Sequence, residues 1–400
     1  MLYAAHATQR LMMKPINVFA ETGQMALEPF AASYPGARFV QAGLEMMGRA
    51  TSPYDKPTFD LDVDPVVIDQ RPFCRLLRFA HREGVRKPLS FFLVAPLSGH
   101  HATLLRRTVD ALLDHGDVVI TDWTCGSRVP RDEGSFGLDK FVGYLIDFMR
   151  VMKAREPQRG LHAIGVCQPG PGLTMAAAIQ AARGEVARPD AMTLISAPMD
   201  PAAAPTQVTR LADSYPPGWF RANVIHTVPH GMAGAGRRVY PGFLQLMGFM
   251  SMDPDRHVEK HRTLFFDRLA GNDDAADRTA AFYDEYLSVL DLDADLYLDS
   301  IERVFQKRAL VHGAATWMGQ PVDPAAVTDM GLQTIEGGGD DICAPGQTVA
   351  AHEILTGIPA HRRDHHVEPE VGHYGGFAGS RFKAGILPRI LDFARCNGGG

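Results

Sequence analysis

Leu161-His162-Ala163-Ile164-Gly165-Val166-Cys167-Gln168-Pro169-Gly170-Pro171-Gly172-Leu173-Thr174-Met175-Ala176-Ala177-Ala178 reads as strand, sharp turn and helix. The run into Val166 is short and apolar, and the alanines after Leu173 favour a helix. Cys167 stands at the turn. A G-x-Nu-x-G turn of this kind holds a nucleophile clear of a sheet, above the N-terminus of a helix. Small residues are needed because strand and helix backbones approach closely there, and the helix N-terminus favours thiolate over thiol. Two features depart from the pattern: the nucleophile is Cys, and Pro169 replaces the second glycine. The competing reading is a structural cysteine on a core strand, since free Cys is among the most buried residue types.

On either side of this stretch, apolar runs alternate with helical patterns, as buried parallel strands do. Phe91–Pro96 is a continuous apolar run ending in Leu97-Ser98-Gly99-His100-His101, with a helix expected over Thr103–His115. Asp117–Trp123 is the next strand and Phe136–Met152 the next helix. The helix after the cysteine is expected from Leu173 to Arg183, and Ala191–Pro198 is another buried strand. Upstream, Phe59, Leu61 and Val63 alternate with Asp60, Asp62 and Asp64, the period of a half-solvated strand, and two further strand segments follow before Phe79. Residues 2–50 carry apolar side chains at helical spacing, with breaks expected at Pro15, Pro29 and Pro35. This arm would lie on the body or on a second subunit in a homodimer. Its methionines and leucines also suit docking to an apolar surface.

After Asp200 the strand–helix rhythm stops until about Val327. The intervening segment is mostly helical and rich in aromatics, among them Phe249, Phe282, Tyr283 and Tyr286, and reads as a cap over the strand C-termini, with a minority of its aromatics lining the substrate path. The sheet resumes at Leu332–Ile342, followed by a helix from Pro345 to about Leu355, a strand at His365–Pro369, the loop Gly372-His373-Tyr374-Gly375 and a last helix over Leu387–Arg395. The expected organisation is an arm (1–50), a core in two parts (51–199 and 328–396), an inserted cap (200–327) and a flexible end (397–400).

Composition bounds the function. The 400 residues are 46% hydrophobic and 22% charged with a net charge of −6, so the chain affords a large core and lacks the basic surface that nucleic acid requires. The N-terminus lacks the pattern of a secretory signal, and no run approaches the ~18 apolar residues of a membrane-spanning helix. The five cysteines are scattered, without C-x-x-C or zinc spacing, which fits free thiols in a reducing cytosol. Neither G-x-G-x-x-G nor a P-loop is present, and no metal or cofactor is expected.

A cysteine nucleophile needs a base, and the base an orienting carboxylate. In the α/β-hydrolase fold these come in the chain order nucleophile, acid, histidine, each at a strand C-terminus. Cys167, then Asp340 or Asp341, then His373 satisfy that order. The spacing Gly337-x-x-Asp340 favours Asp340, leaving Asp341 to cap or brace the loop. The oxyanion hole would combine the Gln168 N–H with one from Ser98 or its neighbours. His100 and His101, on that same loop, read as loop or helix-start residues and not as the base.

These segments together resemble the intracellular polyhydroxyalkanoate (polyhydroxybutyrate) depolymerases: Val94–His100, Thr121-Asp122-Trp123, Val166-Cys167-Gln168-Pro169, Val239–Phe243, Gly337–Ile342 and Val371–Gly375. The likeness runs over nearly the whole chain. It implies an α/β-hydrolase fold and a triad of Cys167, Asp340 and His373 acting on amorphous polyester granules in the cytoplasm. Leu97, His100, Trp123 and Tyr374 within these segments are the candidate substrate-binding residues. Gly170-Pro171-Gly172 depart from the bulkier apolar residues expected after V-C-Q-P, which would loosen the helix start. Because a thioester is nearly isoenergetic with an acyl-CoA, coenzyme A is a candidate acyl acceptor beside water. Two rivals stand: a polyester synthase, which also uses a cysteine elbow but with G-x-C-x-G-G, and a granule-coating protein without activity.

Overall fold

The computed structural model describes residues 2–31, 33–86 and 88–397. Eight strands form the central sheet in the order β1-β2-β4-β3-β5-β6-β12-β13. β1 (Val66–Arg71) and β2 (Cys74–Phe79) form an antiparallel hairpin at one edge, and β2 pairs antiparallel with β4 (Gly116–Trp123). β3 (Leu89–Val94), β5 (Leu161–Val166) and β6 (Ala191–Ile195) run parallel to β4. After the inserted short strands β7 (His226–Thr227), β8 (Arg238–Tyr240), β9 (Leu292–Asp293), β10 (Thr316–Trp317) and β11 (Gln320–Pro321), β12 (Gly331–Gly337) and β13 (Arg363–Glu368) complete the parallel part. The central strands are apolar on both faces because helices cover both. This is the α/β-hydrolase architecture, with helical elements inserted between β6 and β12 and a helical segment at the N-terminus.

α1 (Leu2–Ala31) and α2 (Pro35–Thr51) form that N-terminal hairpin. Pro35 sits in the first turn of α2, where its missing N–H costs nothing. Pro15 and Pro29, however, do not break α1. Pro29 falls in its last turn, and long packing against α2, including the Asn17 amide on the Gly48 carbonyl at 3.1 Å, carries the helix past Pro15. α3 (Arg106–Leu113) follows a single 3-10 turn over Ala102–Leu105, so the helix expected from Thr103 starts later. α4 (Leu138–Arg155) and α5 (Pro169–Ala182) flank the sheet. The inserted segment contains α6 (Gln207–Ser214), α7 (Pro217–Asn223), α8 (Gly242–Met252), α9 (Pro254–Ala270), α10 (Asp273–Leu287) and α11 (Ala294–Asp299). The short α12 (Ala351–Ile354) and α13 (Gly379–Arg381) precede α14 (Leu387–Asn397). No helix among the described residues is long and apolar enough to cross a membrane.

Two further expectations are corrected. The alternating stretch Phe59–Asp64 is not a strand: Asp60 has φ 47°, which interrupts an extended run, and β1 already occupies the sheet edge. Phe59 instead buries its ring against Phe79 at 5.0 Å. The helix expected from Pro345 shrinks to the single turn of α12, because the buried Glu336 carboxylate on β12 takes the N–H groups of Gly346, Thr348 and Val349. Of the expected flexible end, Asn397 closes α14, and residues 398–400 lie outside the described residues.

The helix after the cysteine begins at Pro169, with Gly170 and Gly172 inside its first turn. They do not loosen it. A Cβ on Gly170 would meet Ala197 Cβ at 2.5 Å, and one on Gly172 would meet the Phe141 ring of α4 at 2.6 Å. The glycines let α5 sit close to both neighbours. Gly172→Val should therefore destabilise the protein by about 1–3 kcal/mol through overpacking. Gly43→Ala in α2, where no atom lies within 4 Å of the added carbon, should stabilise it by about 0.5–1 kcal/mol. Urea unfolding midpoints of the two variants measure both; equal shifts would contradict the close packing of α5.

Candidate active site

Cys167 follows β5 directly and has φ 64°, a left-handed backbone that a side chain adopts only under constraint. Its N–H donates to the Ile195 carbonyl at 2.8 Å, and its carbonyl accepts from Gly170 N–H at 3.1 Å. The first bond extends the sheet ladder by one residue. The second closes the turn into α5, so the half-buried thiol stands above the helix N-terminus.

Two loops bring other groups to it. After β12, Asp340 N–H bonds back to the Gly337 carbonyl at 3.1 Å. Asp340 Oδ1 accepts the N–H groups of Ile342 and Cys343 at 2.9 and 2.8 Å, and Oδ2 lies 2.8 Å from His373 Nδ1. Cys167 is the second group that acts on this imidazole. Asp340 and His373 are both buried. Burial alone would raise the Asp340 carboxyl, but His373 and the Cys343 N–H hold it below the ordinary aspartate value. Burial alone would lower His373, yet Cys167 and Asp340 together hold it well above the ordinary imidazole value. The arrangement suits transfer of a proton from thiol to imidazole with the carboxylate bracing the resulting cation. Asp341, the neighbour that sequence could not separate from Asp340, is exposed and lines the cleft.

That cleft, about 770 Å³, runs between the His373 loop and helices α9 and α10. Tyr374 stands at its floor, ring centroids 5.7 Å from His373, 6.1 Å from Phe282 and 5.9 Å from Tyr286. His100 is buried beside it, with Nε2 3.2 Å from the Tyr286 carbonyl. Burial pushes its imidazole down to about 4, so it is neutral at neutral pH. The loop after β3 is tied to the inserted segment as well: Leu290 N–H donates to the Gly99 carbonyl at 2.7 Å, and His100 pairs with Val289. Leu97 N–H donates to Gln168 Oε1 at 3.2 Å, which joins this loop to the cysteine turn; Ser98 is half-buried next to it.

Of the candidate substrate-binding residues Tyr374 lines this cleft; Leu97 and His100 are buried on the loop after β3, and Trp123 is not brought to it. It is buried in the core, 5.1 Å from Phe141, and its indole N–H donates to the Ala95 carbonyl at 2.8 Å. It is a candidate through the Thr121-Asp122-Trp123 resemblance, and its indole bond to Ala95 makes it a brace for the end of β3. Ser196 and Cys343, beside Asp340, were not singled out by sequence, nor was the Gln168 side chain. Ser196 carries one usable signal, since it ends the strand next to β5, and its φ of 48° repeats the turn at Cys167.

A family model described as "PHB de-polymerase C-terminus" matches residues 196–397, a span that begins after Cys167 and contains Asp340 and His373. No curated protein matches. Among solved structures, 2-hydroxy-6-oxo-6-phenylhexa-2,4-dienoate hydrolase from a Rhodococcus species is 13% identical over 84% of this chain and 100% of its own, with a TM-score of 0.47. The esterase domain of a Rhodothermus marinus protein is 12% identical over 85% and 100%, TM-score 0.45, and a thermophilic esterase from Thermogutta terrifontis 14% over 84% and 100%, TM-score 0.43. None of these structural likenesses bears on activity.

The two shifts fix a pH signature. The stabilisation from a depressed Asp340 is present above the ordinary aspartate value and is lost as pH falls through its lowered one. That from a raised His373 is present below the ordinary imidazole value and is lost as pH rises through its raised one. The stability advantage of wild type over Asp340→Asn should be largest between those ranges and shrink on both sides. Urea midpoints across the pH range test this; a pH-independent difference would contradict the Asp340–His373 pairing.

Proposed function

The chain belongs to the PHB de-polymerase family and is an ester hydrolase, and from that premise we propose that it cleaves poly(3-hydroxybutyrate) and related short-chain polyhydroxyalkanoates through a Cys167 acyl-enzyme. The observation that carries the mechanism is the buried Asp340–His373 pair at 2.8 Å, whose imidazole is acted on by Cys167 from its strained turn.

His373 takes the thiol proton and the thiolate attacks an ester carbonyl. The oxyanion is met by the Gln168 N–H and a donor from the loop after β3. Leu97 N–H is engaged by Gln168 Oε1, so Ser98 is our candidate for that second donor. Each such donor is worth about 3 kcal/mol in comparable sites. The imidazolium then protonates the leaving alkoxide, and the thioester is opened by water, giving 3-hydroxybutyrate and oligomers, or by the thiol of coenzyme A, giving a hydroxyacyl-CoA. Tyr374, His100 and Leu97 shape the acyl side. The granules where this would occur are intracellular.

The test is product release from amorphous polyhydroxybutyrate granules. Wild type should release 3-hydroxybutyrate or short oligomers, and Cys167→Ala should release none. Release unchanged in Cys167→Ala would sink the cysteine mechanism. Asp340→Asn should lower the rate by roughly 10²–10⁴-fold, as loss of the orienting acid does in comparable triads. Adding coenzyme A should divert part of the product to acyl-CoA; free acid alone would exclude thiolysis. A polymer made from hydroxybutyryl-CoA would instead identify a synthase.

A further inference from the structure

Half of the large apolar side chains exposed among the described residues lie between Leu2 and Met47. They are not scattered. On α1, Leu11, Met12, Ile16, Val18, Phe19 and Met25 recur at intervals of three, four and seven, so they share one face of about half the helix circumference. Met12 is 70% exposed and Phe19 65%. The opposite face is the one that packs, through the buried Tyr3, Asn17 and Ala20. α1 is thus apolar on the side turned away from its own protein.

The charges say what such a face suits. No charged residue of α1 falls within the apolar arc. Lys14, Glu21 and Glu28, one heptad apart, line a single edge and sum to −1. A helix that lies on anionic lipid carries several lysines and arginines along its flanks; here one lysine is outnumbered by two glutamates. Arg10 is turned inward onto the Pro53 carbonyl. An uncharged, apolar, water-insoluble surface is the matching partner. The face is also held to the walls of the catalytic cleft. α1 packs along α2, and α2 is fastened to α9 by Glu45–Arg268 at 2.8 Å and to α10 by Arg49–Asp284 at 2.9 Å. Phe282 of α10 is itself exposed and lines the cleft.

We propose that the outward face of α1 is a docking surface for solid polyester, laying the enzyme on its insoluble substrate with the cleft close to the polymer. The inference rests on the polyester reading above. It assigns adsorption to α1 and cleavage to the Cys167 site, so the two are separable by experiment.

The variant Met12→Gln, Val18→Gln, Phe19→Gln removes the face while keeping good helix formers. In a Cys167→Ala background it should cosediment with amorphous polyhydroxybutyrate particles at least about tenfold less than Cys167→Ala alone, with unchanged helix content by circular dichroism. In the active background, hydrolysis of a soluble 3-hydroxybutyrate trimer should stay within about twofold, while granule degradation falls with adsorption. Equal sedimentation of variant and parent overturns the proposal. So does failure of the parent to sediment with polyester, a preference for phosphatidylglycerol vesicles, or a wild-type dimer in light scattering that the triple variant dissociates, which would give the face to a second copy. If the trimer is not hydrolysed but adsorption still depends on α1, the docking assignment stands and the hydrolytic reading fails alone.

Discussion

Everything at the site depends on one hydrogen bond made just past the end of a strand. Cys167 N–H donates to Ile195 of β6, and one position along, Ser196 N–H donates to Ile335 of β12. Both donors belong to residues with positive φ, 64° and 48°. A left-handed residue with a side chain costs on the order of 1–3 kcal/mol and persists only where its surroundings over-determine it. Here the sheet ladder fixes the N–H and the first turn of α5 fixes the carbonyl. The glycines at 170 and 172 admit Ala197 and Phe141 at distances that would exclude any Cβ. The register of β5, β6 and β12 therefore sets the position of the thiol, and the same three strand ends carry Cys167, Ser196 and, after a short turn, Asp340.

From that constraint the rest of the site can be built outward. The Gly337–Asp340 turn ends β12 so that the carboxylate faces back over Ser196 toward His373, and backbone N–H groups of Ile342 and Cys343 saturate its second oxygen. A buried carboxylate with three donors is rigid, and a rigid acceptor fixes the imidazole. The turn segment beyond is organised by a second buried carboxylate, Glu336, which collects N–H groups that would otherwise have continued a helix. Two carboxylates, one on β12 and one in the turn after it, thus divide the work: Glu336 shapes the loop and Asp340 holds the histidine. The inserted segment is not an independent lid over this arrangement, because Leu290 and Val289 bond directly to Gly99 and His100 on the loop beside Gln168.

Legibility in the sequence follows the range of the interaction that decides each feature. The strand–turn–helix around Cys167 could be read because local propensity and hydrophobic period point the same way there. The parallel strands were legible for the same reason, as apolar runs bounded by turn residues. Asp340 and Asp341 could not be separated by period; a turn bond to Gly337 and two N–H groups from the next loop decide between them. Trp123 could not be placed from the resemblance, because the face its side chain takes is set by Phe141 and the Ala95 carbonyl. Pro15 misled: a local breaker lost to packing along the length of α2. Glu336 gave no sequence signal, since its partners are backbone groups whose positions exist only in the folded chain.

An insoluble polymer, the substrate proposed above, imposes a requirement that the catalytic groups cannot meet. In the proposed reaction a chain is lifted into the cleft that His373 lines, between its loop and α9–α10, so the polymer surface and the cleft mouth are held together long enough for a segment to enter. Cleft aromatics such as Phe282 and Tyr286 pack on one another and on Tyr374, at centroid separations of 5.5–6.1 Å, and lie inside the cleft and not on an outward face. The uncommitted apolar surface lies on α1, a long helix whose own packing uses only its other side. Exposed apolar faces of that extent are a liability for a freely diffusing protein and mark interaction sites where they occur. Its attachment through α2 to the cleft walls runs along ion pairs and not a flexible linker, so adsorption through α1 constrains where the cleft can lie relative to the polymer.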